Sequence, residues 1–97
     1  MHEIVVERLG GRAIAGRSHV GVVASGNLEV LCEPAAAPRT RITVRTTVNG
    51  FDAIWRAVLE RFLERHAVAA DIEVNDFGAT PAMVTLRLEQ ALEAADA

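Results

Sequence analysis

The spacing of apolar side chains changes once between residues 40 and 63, and that change constrains the fold more than any other feature of the chain. Over residues 40–48, Ile42, Val44, Thr46 and Val48 alternate with Arg41, Thr43, Arg45 and Thr47. A period of two places one set on each face of a β-strand. From Phe51 onward, Ile54, Trp55, Val58, Leu59, Phe62 and Leu63 recur three and four positions apart, with Arg56, Glu60, Arg61, Glu64 and Arg65 on the opposite side. That pattern predicts an amphipathic helix to about His66. Asn49-Gly50 marks the junction and is expected to cap the helix, with Asp52 near the positive end of its dipole. A strand with one apolar face and a helix with one apolar stripe must bury them in a shared core.

The remaining segments extend this pattern. Residues 2–9 read as a first strand, followed by a loose connection at Gly10, Gly11 and Gly16. Residues 17–33 read as a β-hairpin, and Pro34 and Pro38, with alanines between, as a flexible connection. Residues 71–77 form a short strand carrying Ile72 and Val74. Thr80-Pro81 then starts a helix, the hydroxyl capping and the proline in the first turn. This helix is expected to run to about residue 94 and to bury Val84, Leu88, Ala91 and Leu92. Strands first, then helix, strand and helix, describe an α+β domain. The expectation is an antiparallel sheet of about four or five strands with two helices packed on one face. No linker or repeat divides the chain, so residues 1–97 read as one domain.

The hairpin's register follows from its buried face. A two-residue loop would pair Val22 with Glu29 and scatter apolar side chains over both faces. A three-residue loop, Ser25-Gly26-Asn27, pairs Ala24 with Leu28, Val22 with Val30 and Val20 with Cys32, all on one face. Gly26 and Asn27 are residue types that accept positive φ at such a tip. Ser25 is therefore expected to project from an exposed, tightly turned corner.

Few functional groups remain for chemistry. All ten basic residues are arginine, which excludes Schiff-base lysines, a phosphate-loop lysine, and biotin or lipoate carried on lysine. The only serines are Ser18 and Ser25, and there is no tyrosine. The single Cys32 cannot form an internal disulfide, which suits a reducing cytoplasm. A net charge of −3 argues against nucleic acid and anionic membranes as partners. The apolar runs are too short for a spanning helix, and no signal peptide is evident.

Ser18-His19 resembles a nucleophile beside a base, but neighbours on a strand face opposite ways, so a polar hairpin edge accounts for them better. His2 lies near the chain end, and His66 at a helix C-terminus complements the dipole. Three histidines and one cysteine without ligand spacing make no metal site, and no residue is identified as catalytic. Asp76 has two readings: a cap of the last helix or partner of an arginine such as Arg45, or part of a docking surface.

Ser25 is set apart by its surroundings. Val20-Gly21-Val22-Val23-Ala24-Ser25-Gly26-Asn27-Leu28-Glu29-Val30-Leu31 resembles the modification-site segment of malonate decarboxylase acyl carrier proteins, Val-Gly-x-Val-x-Ser-Gly-Asp/Asn-Leu-Glu-Val-Leu. Asp76-Phe77-Gly78-Ala79-Thr80-Pro81 is similar to a second block of that family, and Thr47-Val48-Asn49-Gly50-Phe51 to a third, weaker one. Ala24 departs from the glycine more common before the serine, and residues 1–16 carry no family motif.

The resemblance implies a phosphoribosyl-dephospho-coenzyme A arm joined to the Ser25 hydroxyl by a phosphodiester. Its thiol would carry acetyl and malonyl as thioesters, whose carbonyl delocalises the charge left by decarboxylation. It also implies partners: transacylase and decarboxylase subunits, a malonyl transacylase and a prosthetic-group transferase. Ser25 would then be an anchor and the chain a carrier, not an enzyme. Common acyl carriers are helical bundles with Asp-Ser-Leu at a helix start, a motif absent here, so this is not a helical-bundle carrier. Other readings are the citrate lyase acyl carrier, a small α+β interaction module without a covalent group, and, weakest, an esterase.

Overall fold

The period change at Asn49-Gly50 becomes a crossover. In a computed structural model, which describes residues 2–96, strand β5 (Arg39–Thr46) leads through helix α1 (Asp52–Arg65) into strand β6 (Val68–Asp76). β5 and β6 are parallel neighbours, with Ile42 opposite Ile72 and Val44 opposite Val74. A helix between two strands returns the chain to its starting end, so the strands it joins can lie side by side only in parallel.

The other elements are β1 (His2–Leu9), β2 (Arg12–Ala13), β3 (Ser18–Gly21), β4 (Leu28–Pro34) and helix α2 (Pro81–Ala95). The sheet has six strands in the order β1-β5-β6-β4-β3, with β2 paired to the start of β6. β1–β5, β3–β4 and β4–β6 are antiparallel, whereas β5–β6 and β2–β6 are parallel. The α+β class holds. The expected antiparallel sheet of four or five strands is corrected to a mixed sheet of six, because of the crossover and because β2 forms within the glycine-rich connection.

Both helices cover one face of the sheet. Ile4, Val6, Leu28, Val30, Cys32, Ile42, Val44, Ile72 and Val74 point from the strands into a core closed by Trp55, Leu59, Phe62 and Leu63 of α1 and Val84, Leu88, Ala91 and Leu92 of α2. The open face is polar. Glu3 lies opposite Arg45 and Glu7 opposite Arg41 across β1–β5, with ion-pair distances of 3.3 and 2.7 Å. Such cross-strand pairs support register more than they add stability.

The helix starts differ. Thr80 caps α2 as expected, its Oγ1 accepting from Met83 N at 3.2 Å, with Pro81 in the first turn. For α1 the N-cap is Phe51, without a side-chain bond, rather than Asn49 or Gly50. Asp52 complements the dipole and lies 2.6 Å from the His2 ring.

Candidate functional site

The hairpin that carries Ser25 departs from the expected register by two residues. Its ladder pairs Ser18 with Cys32, His19 with Leu31, Val20 with Val30 and Gly21 with Glu29. Gly21 ends it, with φ of 85°; a Cβ there would lie 2.1 Å from the Leu28 carbonyl oxygen. Only glycine allows the chain to leave the ladder so tightly. Residues 22–27 therefore form a longer connection than three residues, and Val22 and Val23 lie exposed on it. A shift of two preserves the buried face, so Val20, Leu28, Val30 and Cys32 still share it.

Within the connection, Asn27 N donates to Ala24 O at 3.0 Å and closes a four-residue turn. Ser25 is its second residue and Gly26 its third, with φ of 76°. That is the type II arrangement, which requires positive φ at the third position. Asn27 keeps negative φ and accepts from Leu28 N with its side chain. Ser25 is exposed at the corner.

The corner is held from outside the hairpin. Gly26 N donates to Phe77 O at 2.7 Å, and Phe77 N donates to Asn27 O at 2.9 Å. Phe77 follows β6, so the loop that starts α2 supports the tip. Asp76 in turn anchors that loop. It is 2 % exposed, and its Oδ1 accepts from Ala79 N at 2.9 Å. Its Oδ2 accepts from Gly78 N at 3.2 Å and from Thr46 Oγ1 at 2.9 Å. The Thr46 hydroxyl also accepts from Val48 N at 3.1 Å. A buried carboxylate is tolerated because these donors meet its oxygens.

Both earlier readings of Asp76 are thereby replaced. Thr80 caps the helix, Arg45 pairs with Glu3 and Glu73 instead, and a side chain this buried offers no docking surface. Thr46 was placed on the correct face of its strand, but its part in this network leaves no mark in the alternation.

Beside the network lies an apolar groove of about 280 Å³ between the starts of α1 and α2. Val48, Phe51, Ile54, Trp55, Pro81 and Val84 line it. Phe51 and Ile54, expected in the core, are 46 % and 48 % exposed. Gly78 borders both groove and hairpin tip: a Cβ there would lie 3.9 Å from the Cα and N of Gly26.

The other candidates lie elsewhere. Ser18 Oγ donates to Ala91 O at 2.6 Å, while His19 turns to the opposite face, 2.8 Å from Glu29. His66 lies 3.1 Å from Glu89. Cys32 is buried, and burial, then Asp96 and Glu33, push its thiol up to about 11. Among the described residues no three His, Cys, Asp or Glu side chains could together hold a metal ion. No helix of the described residues is long and apolar enough to cross a membrane.

Comparison with known proteins gives this geometry a context. The family described as malonate decarboxylase delta subunit (MdcD) matches residues 15–95. The malonate decarboxylase acyl carrier protein of Stutzerimonas stutzeri is 47 % identical over 94 residues, covering 96 % of this chain and 95 % of the relative. This match takes in most of residues 1–16 as well. The protein of that name from Burkholderia cepacia is 55 % identical over 73 residues, covering 74 % of this chain and 68 % of the relative. A chain in the crystal structure of a Pseudomonas malonate decarboxylase hetero-tetramer in complex with malonate superposes with a TM-score of 0.91. Its identity is 42 %, over 98 % of this chain and 99 % of that one. Three segments far apart in sequence thus meet at one end of the sheet in a fold shared along nearly its whole length, and the chain belongs to the malonate decarboxylase delta-subunit family, whose relatives bear the name acyl carrier protein.

Proposed function

We propose that the chain is the acyl carrier subunit of a malonate decarboxylase and that Ser25 anchors a phosphoribosyl-dephospho-coenzyme A arm through a phosphodiester. The observation that carries this reading is Ser25's place at the exposed corner of a turn stitched to a second loop. Attachment needs a hydroxyl that a transferase can reach, on a backbone that keeps its shape. Ser25 fits both needs. Ser18, the only other serine, has its hydroxyl engaged by Ala91 O.

Each residue of the site has a share in this. Ser25 Oγ supplies the ester oxygen. Gly26 holds the positive φ that turns the corner outward, and the Phe77 backbone fixes the corner's position. Asp76 and Thr46 keep the supporting loop in place. When bound, the group supplies a thiol that carries acetyl and malonyl as thioesters. Tethering raises the effective concentration of that cargo at each partner site. The partners are the transacylase and decarboxylase subunits, a malonyl transacylase and the prosthetic-group transferase, all in the cytoplasm. The chain contributes attachment and presentation.

Intact mass after co-production with the maturation enzymes tests the assignment. The wild type and Ser18→Ala should gain the adduct, and Ser25→Ala should remain at its unmodified mass. An adduct on Ser25→Ala, or its loss from Ser18→Ala, would overturn it.

A further inference from the structure

Among the described residues none fills the groove at the start of α1, and its position suggests an occupant. Phe51 and Ile54 belong by spacing to the helix's apolar stripe, yet each remains about half exposed, at 46 % and 48 %. Exposed apolar side chains around a groove mark a binding surface more often than chance exposure does. Gly78 forms part of its wall and approaches Gly26, the residue after the attachment serine. A flexible group on Ser25 therefore starts at the rim.

The lining also selects by charge. Among the described residues it comprises aliphatic and aromatic side chains, glycine, alanine and proline, with Asp76 as its one ionisable residue and no arginine. Of the donors beside it, Gly78 N, Ala79 N and the Thr46 hydroxyl bond to Asp76, and Val48 N bonds to Thr46. A methylene chain, a thiol or an acetyl thioester can enter such a surface favourably. A malonyl carboxylate would lose its water and find no cationic partner there.

We infer that this groove is a resting site for the distal end of the arm on Ser25, accepting it with a free thiol or acetyl group and rejecting it with malonyl. The inference rests on the proposed attachment at Ser25. The charged cargo stays exposed for transfer, while the neutral forms are shielded between turnovers. The same groove thus reports loading state through polarity alone.

Trp55 lines the groove and is the only tryptophan, so its fluorescence reads occupancy. The chain is prepared unmodified and with the arm as thiol, acetyl and malonyl forms, each verified by peptide mass at Ser25. The thiol and acetyl forms should shift Trp55 emission from the unmodified position, and the malonyl form should not. Hydroxylamine should cleave the acetyl thioester roughly fourfold more slowly than on Ile54→Glu, the ratio expected from sequestering about one methylene of apolar surface. Phe51→Ser, a second exposed-site variant, should reduce both effects, with circular dichroism confirming its fold. Identical emission and cleavage rates across verified forms would overturn the inference and leave the attachment intact. Concentration-dependent dimerisation of the unmodified chain, abolished by Ile54→Glu, would overturn it in favour of a second copy. An arm found away from Ser25 would instead remove the attachment reading beneath it.

Discussion

The two ends of the sheet are held by different means. At the Ser25 end, one buried carboxylate, Asp76, gathers a hydroxyl and two backbone amides and so joins the β6–α2 loop to β5. At the far end, a buried Thr40 hydroxyl donates to Val68 O, and charge pairs nearer the surface add to it. Arg12 of β2, beside the start of β6, lies 2.6 Å from Asp96 at the end of α2, and Arg39 lies 2.7 Å from Asp71. Water competes for these charge pairs and not for the buried contacts. The difference lies in the buried charge: the end that presents the serine is organised around a carboxylate that water does not reach.

Asp76→Ala should break this contrast most clearly. It leaves buried donors unmet and should cost about 3 kcal/mol in urea denaturation. Arg12→Ala at the opposite end should barely move the midpoint. Equal midpoints for the two variants would dissolve the distinction. A smaller effect separates two glycines of the Ser25 end. Gly21→Ala drives a Cβ into the Leu28 carbonyl as well as straining φ, and should cost at least about 2 kcal/mol. Gly26→Ala meets open space and should cost only the φ strain, about 1 kcal/mol. Reversal of that order by thermal melts would mean that the tip, not the ladder end, is the constrained position.

Ser25→Ala sharpens the comparison further, with stability within about 0.5 kcal/mol of wild type while the adduct disappears. A large loss of stability would show that the corner serine is structural. The smallest effect is a pH dependence at the far end. The hydrogen bond from Arg12 holds the Asp96 carboxyl below its ordinary range. A depressed folded value stabilises above the unfolded pKa and is lost as pH falls through the folded one. Acid titration of the melting temperature should therefore fall slightly less steeply for Arg12→Ala than for wild type, and salt should narrow the gap. Curves that coincide at low salt would show that this pair adds nothing.

Much of the fold was legible because apolar spacing reports which face of an element is buried. Ile42, Val44, Val84 and Leu88 fell where their period put them. Spacing does not report neighbours, so the parallel pairing of β5 with β6 was hidden. Nor does it distinguish hairpin registers that differ by two, since both bury Val20, Leu28, Val30 and Cys32. Phe51 and Ile54 were misplaced because helical periodicity marks an apolar stripe without showing what covers each part of it. The corner at Ser25 was legible from Gly26. Its support was not, because the partners of a buried carboxylate such as Asp76 are backbone amides, which every residue but proline has.

The bonds that Phe77 makes with Gly26 and Asn27 bear on when the site comes into being. They join segments from distant parts of the chain, so the Ser25 turn, although closed locally, is held in place only by contacts that a nascent hairpin lacks. Non-local pairings close late, because the intervening chain must first be ordered. A transferase that recognises the finished corner would pass over a misfolded or half-synthesised subunit, making maturation a proofreading step. In refolding trials, acquisition of the adduct should lag recovery of the native Trp55 signal. Modification that kept pace in urea-unfolded chains would show that the enzyme reads sequence, not shape.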